Sequence, residues 1–165
     1  MASHPTVSSA TTPTPAERRP HWRPGLILLV FVGGMAGTLC RYWLEGVVPR
    51  PLGLPVPTLA INLLGAFLLG LLLEALLRAG PDQGKLRSAR LLLGTGLLGG
   101  FTTYSTFAVE AVALGIDGDA GWAALYVVIS LIGGVLLSFA GIALASVLHR
   151  RGAGRPRSGE GGVTR

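Results

Sequence analysis

Charged residues are scarce in this chain. Asp, Glu, Lys and Arg make up only 13% of its 165 residues, against about 25% in an ordinary soluble domain. That is too little charge to cover a water-facing surface, so a soluble globular domain is excluded as the first reading. Cysteine is nearly absent as well. The lone Cys40 rules out an intramolecular disulfide, and inside an apolar run it reads as a small filler. The histidines, His4, His21 and His149, lie in the tails or at the end of an apolar stretch. With no metal-ligand spacing, nucleophile triad or phosphate loop, no enzyme is expected. The net charge of +6 comes from basic residues in the tails and one loop. It therefore reads as a topology signal rather than a nucleic-acid surface.

What the chain has is apolar residue, gathered into long runs. A bilayer core about 30 Å thick takes roughly 20 apolar residues of helix, and four runs meet that length. The first spans about 25–44, the second 58–77, the third 91–114 and the fourth 122–148. An all-α membrane protein with four transmembrane helices is the expected fold. Residues 1–24 are rich in Pro, Ser, Thr and Ala and residues 149–165 are basic and Gly-rich. Neither end can bury enough surface to offset chain entropy, so both are expected to be disordered. Residues 25–148 are then the membrane domain. The basic stretch before the first run also allows a signal peptide, but that run is a full span in length and three more follow.

The basic residues separate by side. Arg18, Arg19 and Arg23 precede the first span. Arg78, Lys85, Arg87 and Arg90 lie between the second and third, and Arg150, Arg151, Arg155, Arg157 and Arg165 follow the fourth. That puts twelve on one side against two, Arg41 and Arg50, on the other. The positive-inside rule places both termini in the cytoplasm.

Polar residues inside the spans are expensive and each needs a reason. Thr58 and Asn62 are four apart and share a helical face. Asn62 serves either as glue between helices or as an N–H donor facing a polar path. In the fourth span Tyr126, Ser130, Gly134 and Ser138 recur every four residues, as a packing seam or a pore lining. The third span contains GTGLLGGFTTYSTF. Paired glycines before a run of hydroxyls disfavour a regular helix, so a break near its middle is expected. Irregular backbone at membrane depth survives only when buried in protein or lining a cavity, and freed carbonyls there can hold a small cation. Tyr104 and Phe107, three apart, can present rings to one side, and ring edges carry partial positive charge. Two acids remain. Glu74 reads as interfacial. Glu110 sits either at a pore mouth or beside an arginine such as Arg41.

The segments GGMAGTLCRYW, PTLAINLLGAFLLG and GLLGGFTTYSTF, in this order, resemble the Fluc (CrcB-type) fluoride channels. The resemblance covers about residues 33–141. It implies passive fluoride export by antiparallel dimers with two pores. It implies that Asn62 is the pore amide, that Tyr126 and Ser130 belong to a polar track, and that Tyr104 and Phe107 fill paired aromatic sites; Thr58, on the helical face of Asn62, is expected to line the same pore. It implies that Arg41 is a vestibule arginine. A structural sodium ion, Na+, is implied at the break, on the carbonyls of Gly99 and Thr102. Two departures stand out: Tyr104 where the family usually has Phe, and Gly134 where a hydroxyl is expected. The strong charge bias also points to a heterodimer with an oppositely oriented homologous subunit, because one chain inserted one way cannot pair antiparallel with itself. Two rival classes are a small multidrug-type exporter, which needs a deep carboxylate missing from the first span, and a non-transporting membrane adaptor.

Overall fold

A computed structural model describes residues 24–153, and the two tails expected to be disordered lie largely outside these. The described chain is helical throughout, with four helices long and apolar enough to cross a membrane. The first crossing is α1 (Pro24–Val47). A stiff Pro-rich link with a 3-10 turn at Pro51–Gly53 leads to α2 (Val56–Ala79), which carries prolines in its first turn, where the missing N–H costs nothing. Gly80 ends α2 at a positive φ of 146°, a conformation that L side chains rarely adopt.

The third crossing is assembled from pieces. A short α3 (Gly84–Ala89) runs into a π-helical stretch, Arg90–Leu98, then α4 (Gly99–Phe101) and, after a gap, α5 (Ser105–Ile116). The expected break is present. It falls at Thr102–Tyr104, where Thr102 takes extended angles (φ −80°, ψ 156°). The π-helical lead-in is an addition to the expectation, as is the helical start of this crossing at Gly84. The last crossing, α6 (Ala120–Ala153), continues five residues beyond the expected end of the membrane domain at Leu148.

Two lines of contact organise these helices. The third crossing lies against α1, and α2 lies along α6. Both depend on glycine. A Cβ at Gly33 or Gly37 would collide with the carbonyls of Leu92 and Leu97, and one at Gly70 or Gly141 with those of Ser138 and Phe67. Small residues let backbones approach in lipid, where packing rather than hydrophobicity holds helices together. Ser138 thus belongs to a packing seam. Gly134 does not, since none of the described residues lies within 4 Å of where its Cβ would be. The buried centre is small: Ile61, Leu98 and Phe101, backed by Leu44, Leu68, Leu72 and Leu97. Most large apolar side chains face outward, as expected where the surroundings are lipid. Cys40 is among the exposed residues, so it fills no gap inside the chain.

Candidate functional site

The break frees backbone groups that no longer have helical partners, and side chains take them over. Asn62 of α2 does most of this. Its Nδ2 donates to the Thr103 carbonyl at 2.8 Å, and its Oδ1 accepts from the Thr103 N–H at 2.8 Å. The paired bonds fix the orientation of the carboxamide, because an N–H can only meet the oxygen. They also take the Thr103 N–H away from Gly99, its partner in a continued helix. On the far side, the Thr103 hydroxyl accepts from the Thr106 N–H at 3.2 Å and so caps α5. Below the gap, the Gly100 carbonyl accepts from Arg41 Nε and from the Thr38 hydroxyl, both at 3.4 Å. Arg41 also pairs with Glu45 at 3.3 Å. The expected vestibule arginine is therefore tied to the break itself.

Beside the break lies an open groove of about 370 Å³. Six of the residues singled out from sequence line it: Asn62, Gly99, Thr102, Tyr104, Phe107 and Ser130. Asn62 keeps one amide hydrogen beyond its bond to Thr103. Ser130 Oγ is shut off from solvent and has no hydrogen-bond partner among the described residues. Buried hydroxyls are nearly always paired, so an orphan in a groove asks for an explanation. The Tyr104 and Phe107 rings are 6.1 Å apart at 46°, and Phe107 lies 5.2 Å from the Tyr126 ring. Tyr104 is 81% exposed, so it forms an outer wall that the described residues leave largely uncovered.

Thr58 and Tyr126 do not line this groove. They sit one helical turn away, around Glu110. The Thr58 hydroxyl, fully buried, donates to Glu110 Oε1 at 3.0 Å. The Tyr126 hydroxyl, also buried, donates to Oε2 at 3.0 Å. A hydroxyl has one hydrogen, so in this arrangement neither can also donate to an anion. The cation beside Glu110 is Arg50, with Nη2 3.9 Å from Oε1. The arginine beside Glu110 is thus Arg50 and not Arg41, which is paired with Glu45. The Glu110 cluster as a whole was missed. Its signal was the shared register of Thr58 with Asn62, Glu110 with Phe107 and Tyr126 with Ser130.

Glu74 accepts from Arg78 Nε at 2.6 Å and from the Ser146 hydroxyl at 3.1 Å, which ties α2 to α6 near one end of the membrane region. No cluster of three His, Cys, Asp or Glu is found among the described residues. A cation at the break would rest on backbone and hydroxyl oxygens.

Residues 28–142 match the family described as CrcB-like protein, Camphor Resistance (CrcB). The chain is 51% identical over 122 residues to "Fluoride-specific ion channel FluC 1" of Cutibacterium acnes, covering 73% of this chain and 85% of that protein. It is 46% identical over 127 residues to "Fluoride-specific ion channel FluC 2" of Leifsonia xyli subsp. xyli, covering 76% and 88%. It is also 46% identical to "Fluoride-specific ion channel FluC" of Thermus thermophilus, covering 73% of this chain and 94% of that one.

Proposed function

The chain belongs to the CrcB family, and on that premise we infer that it is a fluoride-specific ion channel, a multi-pass membrane protein that lets fluoride leave the cytoplasm passively. Fluoride is small and strongly hydrated, so a pore must replace its water with donors. Its conjugate acid is weak, crosses lipid uncharged and dissociates inside. The membrane potential contributes about 2.3 kcal/mol per charge per 100 mV, and negative inside it drives the anion out. No coupling carboxylate is needed, which separates this reading from a multidrug-type exporter.

The observation that carries the site assignment is the unpartnered hydroxyl of Ser130, a residue that lines the groove. With the second amide hydrogen of Asn62 and the edges of Phe107 and Tyr104, it forms a donor set for one small anion. Thr58 and Tyr126 act one turn away by holding Glu110. Arg41 braces the break. Liposomes carrying the purified protein should release fluoride and retain chloride. Retention of both would overturn the channel reading in favour of an adaptor.

The proposal extends to a structural sodium ion on the carbonyls of Gly99 and Thr102. Two features support it: Thr102 is extended, so its carbonyl leaves the helix axis, and the Thr103 N–H is engaged by Asn62 rather than by Gly99. A bound cation would supply the positive charge that lets such carbonyl dipoles converge at membrane depth. The purified protein should unfold at lower temperature when sodium is replaced by a bulky organic cation. An unchanged transition would count against the ion. Gly99→Leu is expected to disrupt assembly, but not by straining this chain, since a Cβ there meets nothing within 4 Å. The leucine would enter the groove.

A one-sided groove and an exposed Tyr104 suit an antiparallel dimer, in which a second subunit closes the wall. The bias of twelve basic residues against two favours one orientation with both termini cytoplasmic, and hence a heterodimer with a homologous subunit inserted the other way. A C-terminal reporter decides this. Chains expressed alone that place their C-termini on both faces and conduct fluoride would refute the need for a second gene product.

A further inference from the structure

Four cations lie from the last turn of α2 to the start of the π-helical stretch, and they divide into two kinds. Arg78 is paired with Glu74, and Arg90 with Asp82. Lys85 and Arg87 have no carboxylate partner among the described residues, and both line one cavity of about 640 Å³ together with Gln83, Ser88 and Leu26. Among the described residues no acid contributes to that lining. Arg87 Nε is closed off from solvent and has no hydrogen-bond partner among the described residues. A guanidinium nitrogen that is desolvated and unpaired is costly unless an acceptor comes from outside the chain.

The location narrows the class of acceptor. Leu26 lies in the first turn of α1, at the boundary of that membrane helix, and α3 begins the third crossing. The cavity therefore lies at the ends of two crossings, at headgroup level, with an aliphatic side chain and two cations in one lining. Basic pockets at that level fit a phosphodiester whose acyl chains run down into the bilayer. Gln83 and Ser88 add an amide and a hydroxyl for the rest of a polar headgroup. We propose that Lys85 and Arg87 form a binding site for the phosphate of an anionic phospholipid, seated between the start of α1 and α3. The site is separate from the groove and from the Glu110 cluster, and shares no residue with either.

Native mass spectrometry of the purified full chain with added dioleoyl-phosphatidylglycerol tests this. The variant K85Q/R87Q should lose bound lipid, about fivefold for each cation removed and about twenty-five-fold for the pair. R150Q/R151Q removes the same charge from the last turn of α6 and should retain lipid as the unaltered chain does. Because Arg87 is partly buried, K85Q alone, at an exposed position, guards against loss of fold and should show the single-charge effect. Equal retention in K85Q/R87Q and the unaltered chain would overturn the site. So would equal loss in R150Q/R151Q, which would mean bulk charge alone. Inorganic phosphate at millimolar concentration should not displace the lipid. If it does, and dioleoyl-phosphatidylcholine is retained equally well, the ligand is free phosphate and the lipid assignment falls.

Discussion

Three helices contribute to two polar clusters one helical turn apart, and the clusters differ in how they use their donors. In the groove, α2 supplies Asn62, α5 supplies Phe107 and α6 supplies Ser130. One turn on, the same helices supply Thr58, Glu110 and Tyr126. A carboxylate stands at the α5 position of the second cluster, and both hydroxyls are committed to it. A ring stands there in the first, and the Ser130 hydroxyl has no partner among the described residues. The second cluster satisfies itself and holds three helices together. The first leaves the Ser130 hydroxyl without an acceptor among the described residues. The residue on α5 makes the difference between hydroxyls that are committed and one that is not.

The largest effect should come from Asn62→Leu. It orphans the N–H and C=O of Thr103, at about 1–3 kcal/mol each, and removes the groove amide. Thermal unfolding should drop sharply and fluoride efflux should vanish. A stable variant with normal efflux would break the assignment of the groove as the working cluster. Next is Phe107→Ile, which keeps the hydrophobicity but removes a ring edge from the anion and from the Tyr126 stack. At about 1.5 kcal/mol for the lost ring edge, flux should fall about tenfold, and the lost stack should lower stability by a similar amount. Unchanged efflux in a folded variant would sink the aromatic role.

Ser130→Ala and Tyr126→Phe sharpen the contrast, because each removes one hydroxyl. Losing an unpartnered hydroxyl should leave stability unchanged or slightly raised while flux falls about tenfold. Losing one committed to a carboxylate should cost about 1.5–3 kcal/mol of stability, with flux changing less than about threefold. The reverse pattern, read from unfolding curves and efflux side by side, would exchange the roles of the two clusters. The smallest effect is expected from Arg50→Gln. Its side chain is 53% exposed and 3.9 Å from Glu110, and an exposed pair of this kind contributes at most about 1 kcal/mol. A large loss of stability would mean that the Glu110 cluster depends on its cation and is not self-sufficient.

Much of this was legible along the chain, though unevenly. The break was visible in GGFTTYSTF, because glycine and hydroxyl residues act on the backbone within a few positions. The π-helical lead-in was not, since a shift of hydrogen-bond register by one residue leaves the apolar pattern nearly unchanged. Asn62 was visible as costly, but its use was not. A carboxamide both donates and accepts, and the structure shows it doing both toward Thr103. Thr58 and Tyr126 were read with the pore because they share a face with Asn62 and Ser130. Glu110, three residues after Phe107, redirects them. Ser138 and Gly134 belonged to one stripe in the sequence, yet one packs against Gly70 and the other faces open space.

The sequence by itself determined the class of protein, the four crossings, the place of the break and the family. These follow from length, hydropathy and short motifs, whose energetics are local or set by the lipid solvent. Only the tertiary structure decided which donors are committed and which are free. Glu110 meets Thr58 from 52 residues away and Tyr126 from 16, and it takes Arg50 rather than Arg41 as its cation. A hydroxyl has a single hydrogen, and the acceptor within reach depends on how helices far apart in the chain pack together. No reading along the chain could decide that contest.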